Sequence, residues 1–561
     1  MTKVTRRDFL AISAAGMAGM LMTSCRQPVE APVDTAADFQ VLEVKWKSKT
    51  LNGLKTKLRS YNDQVPGPLL TAIPGEAMRV RIVNSLTPYD SSNWTGDHNI
   101  PHDLNTTNLH VHGLDVAPHL FVPLGTSDPA APMINVKPGE SYDYVFELPA
   151  DHPPGLYWYH PHKHGSTAVQ AVSGMAGPII IKGDIDEVPE IKAARDIPLA
   201  IQDIGLFPSE TEADVWTYEP VQNAIWQTIP VKEGDVNYNV TIYDPETKKN
   251  VVQPDLKGGF SAGDYAERFY LLNGEPFFQE THSNANPTDP TTTQLEAPQF
   301  KMAPGEVVRF RMLNGCSDNL MPIVVEGHEM HLIALDGVNF TALKTIPVYQ
   351  KTTGDGQVLL APANRAEFLI KAGTPGRYAI RELEQGQQFL SSSAKTIAEI
   401  VVEGPEKDMA LPQTLPTPTR YYPLIDKVSR TRTIEFAGTF PPVQNPYIGI
   451  DFTINGMLYE EDSVQQEVTL DDAEEWILKV GDQNHGGTEG HPFHIHVNHF
   501  EVISIAGVIQ PPGTIQDTIW VPKDTEVVIR MKFKDFKGKG VYHCHILPHE
   551  DTGMMQNFLI T

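Results

Sequence analysis

The stretch VYHCHILPHEDTGMM, residues 541–555, puts three histidines, a cysteine and two methionines within fifteen residues, in a chain with only three cysteines. His-x-His pairs stand at His110/His112, His160/His162, His494/His496 and His543/His545, with His164 two residues beyond the second in HPHKH. With 20 histidines in 561 residues, fewer than about one such pair is expected by chance. In a β-strand alternate side chains share a face, about 6.6 Å apart along the chain. Each pair therefore presents two imidazoles side by side. Imidazole suits copper, zinc, iron or nickel, and eight imidazoles exceed what one ion takes, so several ions should share them. In His-Cys-His the same alternation turns Cys544 away from His543 and His545, toward a different metal. His549, five residues on, and His491, which opens HPFHIH, are its natural co-ligands. Met554 lies five beyond His549, with Met555 as the alternative. One thiolate, two imidazoles and a weak thioether make a blue-copper electron-transfer site.

These side chains need a scaffold of strands. Long amphipathic helical patterns are scarce. Short apolar runs recur instead, among them AMRVRIVN, SYDYVFELP, VVRFRML and EVVIRMKF, punctuated by 46 prolines and 42 glycines. That pattern predicts an all-β protein of sandwiches. Internal repetition supports several units. PGEAMRVRIVN (74–84) and PGEVVRFRMLN (304–314) match at Pro-Gly-Glu, at both arginines and at the final Asn. Gly155, Gly376 and Gly538 each lie five residues before His160, Arg381 and His543. Three units follow, about 38–185, 186–410 and 411–561, and only the first and third carry His-x-His pairs. His328 and His331, in GHEMHLIALDG, are not so paired and read as structure of the middle unit. Cys316 reads as a small buried residue.

Composition narrows the partners. There are 70 acidic against 44 basic residues, a net charge of −26. This argues against nucleic acid, which needs a basic face, and against docking on anionic lipid. The first 25 residues read as a targeting segment: TRRDFL is a twin-arginine pattern, followed by an apolar run too short to span a bilayer. MTSC at 22–25 resembles a lipoprotein cleavage box with Cys25 as the lipidated residue, and the polar, Pro-rich 26–37 reads as a tether. Export by the twin-arginine route to the periplasm or cell envelope is expected, with membrane attachment only through Cys25.

At HVHG, HPH, HPFHIH and HCHILPHEDTGM the sequence resembles the multicopper oxidases, the laccase-like family. The resemblance implies three cupredoxin-like Greek-key β-sandwich domains and four copper ions. It implies oxidation of phenols or aromatic amines, one electron at a time, at a type 1 copper, and reduction of dioxygen to water at a trinuclear cluster. Carried over residue by residue, His491, Cys544, His549 and Met554 hold the type 1 copper, and electrons enter at His491. His110 and His494 hold the type 2 copper, and His112, His160, His162, His496, His543 and His545 the type 3 pair. With those eight positions filled, His164 is expected behind the ligands or at the surface. Oxygen reduction consumes protons, so acids should stand near the cluster. Glu550 looks like the family's relay acid. Asp128 matches an acid that follows the first pair, although the family's Asp-Gly reads Asp-Pro here, and Asp115 competes with it. Glu489 could meet the substrate. A monomer is expected. The alternatives are a metal oxidase for Cu(I), Mn(II) or Fe(II) in copper tolerance, and a metal-free cupredoxin scaffold of the cell envelope. The scattered methionines, with no Met-rich insert, weigh against a dedicated cuprous oxidase.

Overall fold

The computed structural model describes residues 39–561 except 90–95, 210, 219–240, 245–248, 253–264, 284–285, 387–391, 440–443, 445–450 and 482–489. The targeting segment, Cys25, the tether and Glu489 lie outside the described residues. Among those described, the chain is nearly all β. Its α-helices are three short turns, Thr167–Val172, Pro189–Ala193 and Leu547–Asp551. No described helix is long and apolar enough to cross a membrane.

Alternation of apolar and polar residues explains the outer sheets. In Ala77–Asn84 and Ala473–Val480 every second residue is buried, the signature of a strand with one face on a core. Val307–Asn314, Gly155–His160 and Gly538–Cys544 are buried along their whole length, because both of their faces are covered. Three sandwiches result. In the first, Gln40–Leu51, Leu54–Tyr61, Ala77–Asn84 and Ser141–Glu147 face a sheet of Leu70–Ala72, Gly177–Ile181, Gly155–His160 and His110–His112. In the last, the sheet built on Arg430–Thr439 and Ala473–Val480 faces Gln466–Val468, Met555–Ile560, Gly538–Cys544, His491–Ile495 and Thr518–Val521. The middle one is tied to the first by a shared sheet: Val215–Thr217 pairs both with Arg195–Pro208 and with Leu54–Tyr61.

The repeats have physical content. Asn84 donates to the carbonyls of Asn105 and Val136 and accepts from the Leu86 amide. Asn314 does the same work toward Asn319, Leu360 and Cys316. The terminal Asn thus closes the loop after its strand in both copies. Gly155 is required by close approach, since a Cβ there would stand 2.4 Å from the Gly337 carbonyl oxygen. Gly538, at φ +131°, would bring a Cβ to 2.9 Å from that of Gly125. Gly376 has no such crowding from another segment, and Arg381 pairs with Glu326 at the surface.

Candidate metal centre

Two strand pairs build the histidine cluster. His110–His112 runs antiparallel to Gly155–His160 with His110 opposite His160. His491–Ile495 runs antiparallel to Gly538–Cys544 with His494 opposite His543. Only the first His-x-His lies wholly within a strand. His162, His496 and His545 stand just past their strand ends, so simple alternation describes one pair, and the turn of the chain completes the other three. Ring centroids within the pairs are nevertheless 5.0–5.8 Å apart, and all eight rings are buried.

The hydrogen bonds decide which nitrogen faces inward. His160 and His543 each donate Nδ1–H to the carbonyl of the next residue, at 2.9 Å. His494 Nδ1–H donates to the Asp517 carbonyl at 2.8 Å. His110 Nδ1–H donates at 3.0 Å to His119 Nε2, which also accepts from the Val111 amide. His112 is reversed: its Nε2–H donates to Asp517 Oδ1 at 3.1 Å, which leaves Nδ1 inward. Among the described residues, His110 Nε2, His112 Nδ1, His160 Nε2, His494 Nε2 and both His545 nitrogens have no hydrogen-bond partner. His543 Nε2 lies 3.1 Å from His162 Nε2 and 3.3 Å from His496 Nε2. Orphaned, dry imidazole nitrogens are costly. Converging lone pairs of this kind fit a set of bound cations. Burial first, and then the neighbouring histidines, push His110, His112, His162, His494, His496 and His545 well below the usual histidine value. Burial likewise brings His160 to about 3 and His543 to about 4. Neutral imidazole is the form that binds metal.

A second donor set lies across the same strand end. Cys544 Sγ is 3.5 Å from His491 Nδ1 and 3.9 Å from His549 Nδ1, and those two nitrogens are 3.4 Å apart. Phe452 stacks on His549 at 3.9 Å and Phe436 on His491 at 5.7 Å. The Ile546 amide donates to the sulfur at 3.4 Å. Met554 belongs to the apolar cluster that holds Cys544, Phe436 and Phe493. Met555 belongs to a different one, with Leu120, Phe121 and Tyr459. Thiolate, imidazoles and a dry aromatic shell suit a soft, redox-active ion.

The acids divide. Glu550 is fully buried, its Oε1 3.7 Å from the Nδ1 atoms of both His162 and His164. Neither of its oxygens has a hydrogen-bond partner among the described residues, and the nearby Thr167 hydroxyl donates to the Lys163 carbonyl. Burial, then the adjacent Asp551, raise the Glu550 carboxyl well above the ordinary range. His164 is therefore not at the surface: it is buried between Glu550 and Asn99 Oδ1. Asp128 does not join the cluster. It is exposed, and its Oδ1 accepts from the Ala130 amide, which makes it the organiser of its own turn. Asp115 is buried but is held by Arg420, Tyr421 and His499. The acid that accepts a hydrogen bond from a cluster histidine, His112, is Asp517, absent from the sequence reading. Its signal was an acid inside the apolar run TIQDTIWV. Its carboxylate receives Arg365 at 2.8 and 2.5 Å. His119 was missed as well, since a lone histidine carries no spacing signal.

Comparison with known proteins follows this geometry. Three family models, each described as multicopper oxidase, match residues 43–185, 242–403 and 428–561. The multicopper oxidase mco of Staphylococcus haemolyticus is 24% identical over 506 residues, covering 89% of this chain and 83% of that protein. A multicopper oxidase from Campylobacter jejuni, described as a metallo-oxidase, superposes with TM-score 0.64 at 23% identity, over 93% of this chain and 90% of the other. A laccase-like multicopper oxidase from Ochrobactrum, described as active towards lignin model compounds, does so with TM-score 0.64 at 20% identity, over 94% and 98%.

Proposed function

As a member of the multicopper oxidase family the chain is an oxidoreductase that uses copper, and we propose that it oxidises phenols or aromatic amines and reduces dioxygen to water. The observation that carries this reading is the split at one strand end: Cys544 faces His491 and His549, while His543 and His545 face the other histidines. His491, Cys544, His549 and Met554 would hold the type 1 copper. His110 and His494 would hold the type 2 copper, and His112, His160, His162, His496, His543 and His545 the type 3 pair. Four copper ions so bound would supply one-electron oxidation at the first site and four-electron reduction of dioxygen at the second.

The chain's own part is to keep the donors neutral, oriented and dry. Asp517 and backbone carbonyls fix which nitrogen of His112, His160, His494 and His543 faces inward, and His119 does so for His110. Glu550, whose carboxyl is raised well above the ordinary range by burial and then by Asp551, would carry a proton beside His162 and His164 for delivery to the oxygen-reducing site. In this reading 38–185, 186–410 and 411–561 are the three domains, and the middle one binds no cluster copper. Residues 1–25 direct twin-arginine export, and 26–37 tether a monomer that is lipid-anchored at Cys25.

Copper-loaded protein assayed by oxygen uptake against a panel of reductants tests the proposal. Turnover with phenols or aromatic amines, four electrons per dioxygen, is expected, and Cys544→Ser should abolish it together with the visible thiolate-to-copper band. Turnover with Cu(I), Mn(II) or Fe(II) and none with phenols would replace this reading with that of a metal oxidase. Failure to bind copper would leave the scaffold.

A further inference from the structure

The middle sandwich contributes no candidate ligand, yet it touches the loop that carries two of them. The Leu547 amide, between Cys544 and His549, donates to the Ser317 carbonyl at 3.0 Å. Ser317 is braced from behind. Its amide donates to Asp203 Oδ1 and its hydroxyl to Asp203 Oδ2, both at 2.8 Å. Arg268 donates to Asp203 Oδ2 from Nε at 3.1 Å and from Nη2 at 2.6 Å, and it also contacts Asp318. The Asn314 side chain closes the same loop through Asn319 and Cys316. Asp203, Ser317 and Asp318 are all at least 97% buried. Leu320, three residues on, packs in the apolar cluster that contains Cys544. At the far end of the helix Leu547–Asp551, Asp551 accepts the amides of Gly165 and Ala168, each at 2.7 Å. The ligand loop is thus pinned to a second sandwich at each end.

A buried Arg–Asp–Ser set that includes no candidate ligand would, as scaffolding, be one more costly ionic group. What it holds makes it specific. One residue before Leu547, the Ile546 amide donates to the Cys544 sulfur at 3.4 Å. Hydrogen bonding to the cysteine sulfur is one of the quantities that sets the potential of a thiolate-bound copper. The Leu547 amide and the Ile546 donor belong to adjacent rigid peptide planes that meet at the Ile546 Cα, so a shift of the Ser317 carbonyl moves the first plane and, through that atom, re-aims the second.

We propose that the buried Asp203–Ser317 pair is a positioning clamp that fixes the Ile546 N–H on the Cys544 sulfur and thereby sets the reduction potential of the copper bound there. The inference rests on the reading of Cys544 as a copper ligand. Asp203 and Ser317 are positioning residues, since neither touches the metal site.

The test compares Asp203→Asn and Ser317→Ala with Ile400→Ala, which truncates a fully buried core side chain on Lys395–Val402, a strand of a different sheet from the Arg195–Pro208 strand that carries Asp203. In copper-loaded protein, both clamp variants should bind copper in full but show a displaced or weakened thiolate-to-copper band and a shifted midpoint in a redox titration. Ile400→Ala should lose thermal stability with band and midpoint unchanged. In copper-free protein, the Leu547 amide should exchange with deuterium roughly tenfold faster in the clamp variants. Band, midpoint and exchange all equal to wild type in both variants would overturn the clamp. If Asp203→Asn does not fold, Ser317→Ala, which keeps the backbone donor and acceptor, decides alone. A copper-loaded wild type without any visible band would instead overturn the reading of Cys544, a result that the exchange experiment does not depend on.

Discussion

Asp517→Asn removes one negative charge from a site that water does not reach. Arg365 donates to both Asp517 oxygens, at 2.8 and 2.5 Å, and both groups are at least 99% buried. Burial alone would raise the Asp517 carboxyl, but Arg365 outweighs it and the group is held down at about 2. Removing one partner of a buried pair costs about 3–5 kcal/mol. Two features favour the lower end. Arg365 keeps Asp336 at 3.5 Å and the carbonyls of Leu156 and Ala363. Asp336, pushed up to about 6 by burial and then by Asp517, also loses that repulsion. The expected loss is therefore about 3 kcal/mol, roughly 150-fold in the folding equilibrium. Urea unfolding of copper-free protein at pH 7 measures it, with Arg365→Met and the double variant closing a thermodynamic cycle. The pH dependence follows from the sign: a carboxyl depressed below its unfolded value of about 3.9 stabilises the protein above that pH. This contribution is lost as pH falls toward 2, and the variant should lack that acid-side loss. Because Asp517 also fixes the His112 ring, copper retention should weaken about 10–100-fold. A loss under about 1 kcal/mol, an additive cycle and unchanged copper retention would together refute the reasoning.

Glu550→Gln removes the proton but keeps the shape. It should leave copper content and the visible band intact and slow reoxidation of reduced enzyme by oxygen about 100-fold; equal rates at all pH values would remove Glu550 from proton delivery. Met554→Leu should change the visible band and redox midpoint, whereas Met555→Leu, in a separate apolar cluster, should change neither; the opposite pattern would exchange their roles. His499 is lowered by burial but raised more by Asp115 and Asp517, so that it stands above the usual value. Its stabilisation is full below about pH 6.5 and is lost as pH rises through the folded pKa. His499→Gln should flatten unfolding free energy against pH in that window, and an unaltered slope would show that the imidazolium contributes nothing.

Much of the site was legible because spacing along one chain is a local property. His-x-His and His-Cys-His announce two donor directions wherever the backbone is extended, and a strand end suffices to keep them. The buried state of Glu550 was not legible, since a glutamate after a histidine reads the same in a loop or a core. Asp128 misled for the converse reason. It fits a family position by order, but its turn sits on the outer surface, and order carries no burial. Met554 and Met555 differ by one residue and so point to opposite sides of the chain, and only packing shows which side holds Cys544.

The amino-acid sequence by itself determined the kind of protein: strands punctuated by proline and glycine, an acidic surface, and donor pairs whose chemistry is written in residue type and interval. Tertiary structure alone decided which nitrogen His112 and His494 turn inward, because that depends on a carboxylate and a carbonyl brought from elsewhere, Asp517 lying 405 positions from His112. It also decided that Ser317, in the middle sandwich, should meet Leu547 beside the cysteine. Hydrogen bonds and desolvation act over a few ångströms of space, and no interval along the sequence encodes contacts between segments hundreds of residues apart.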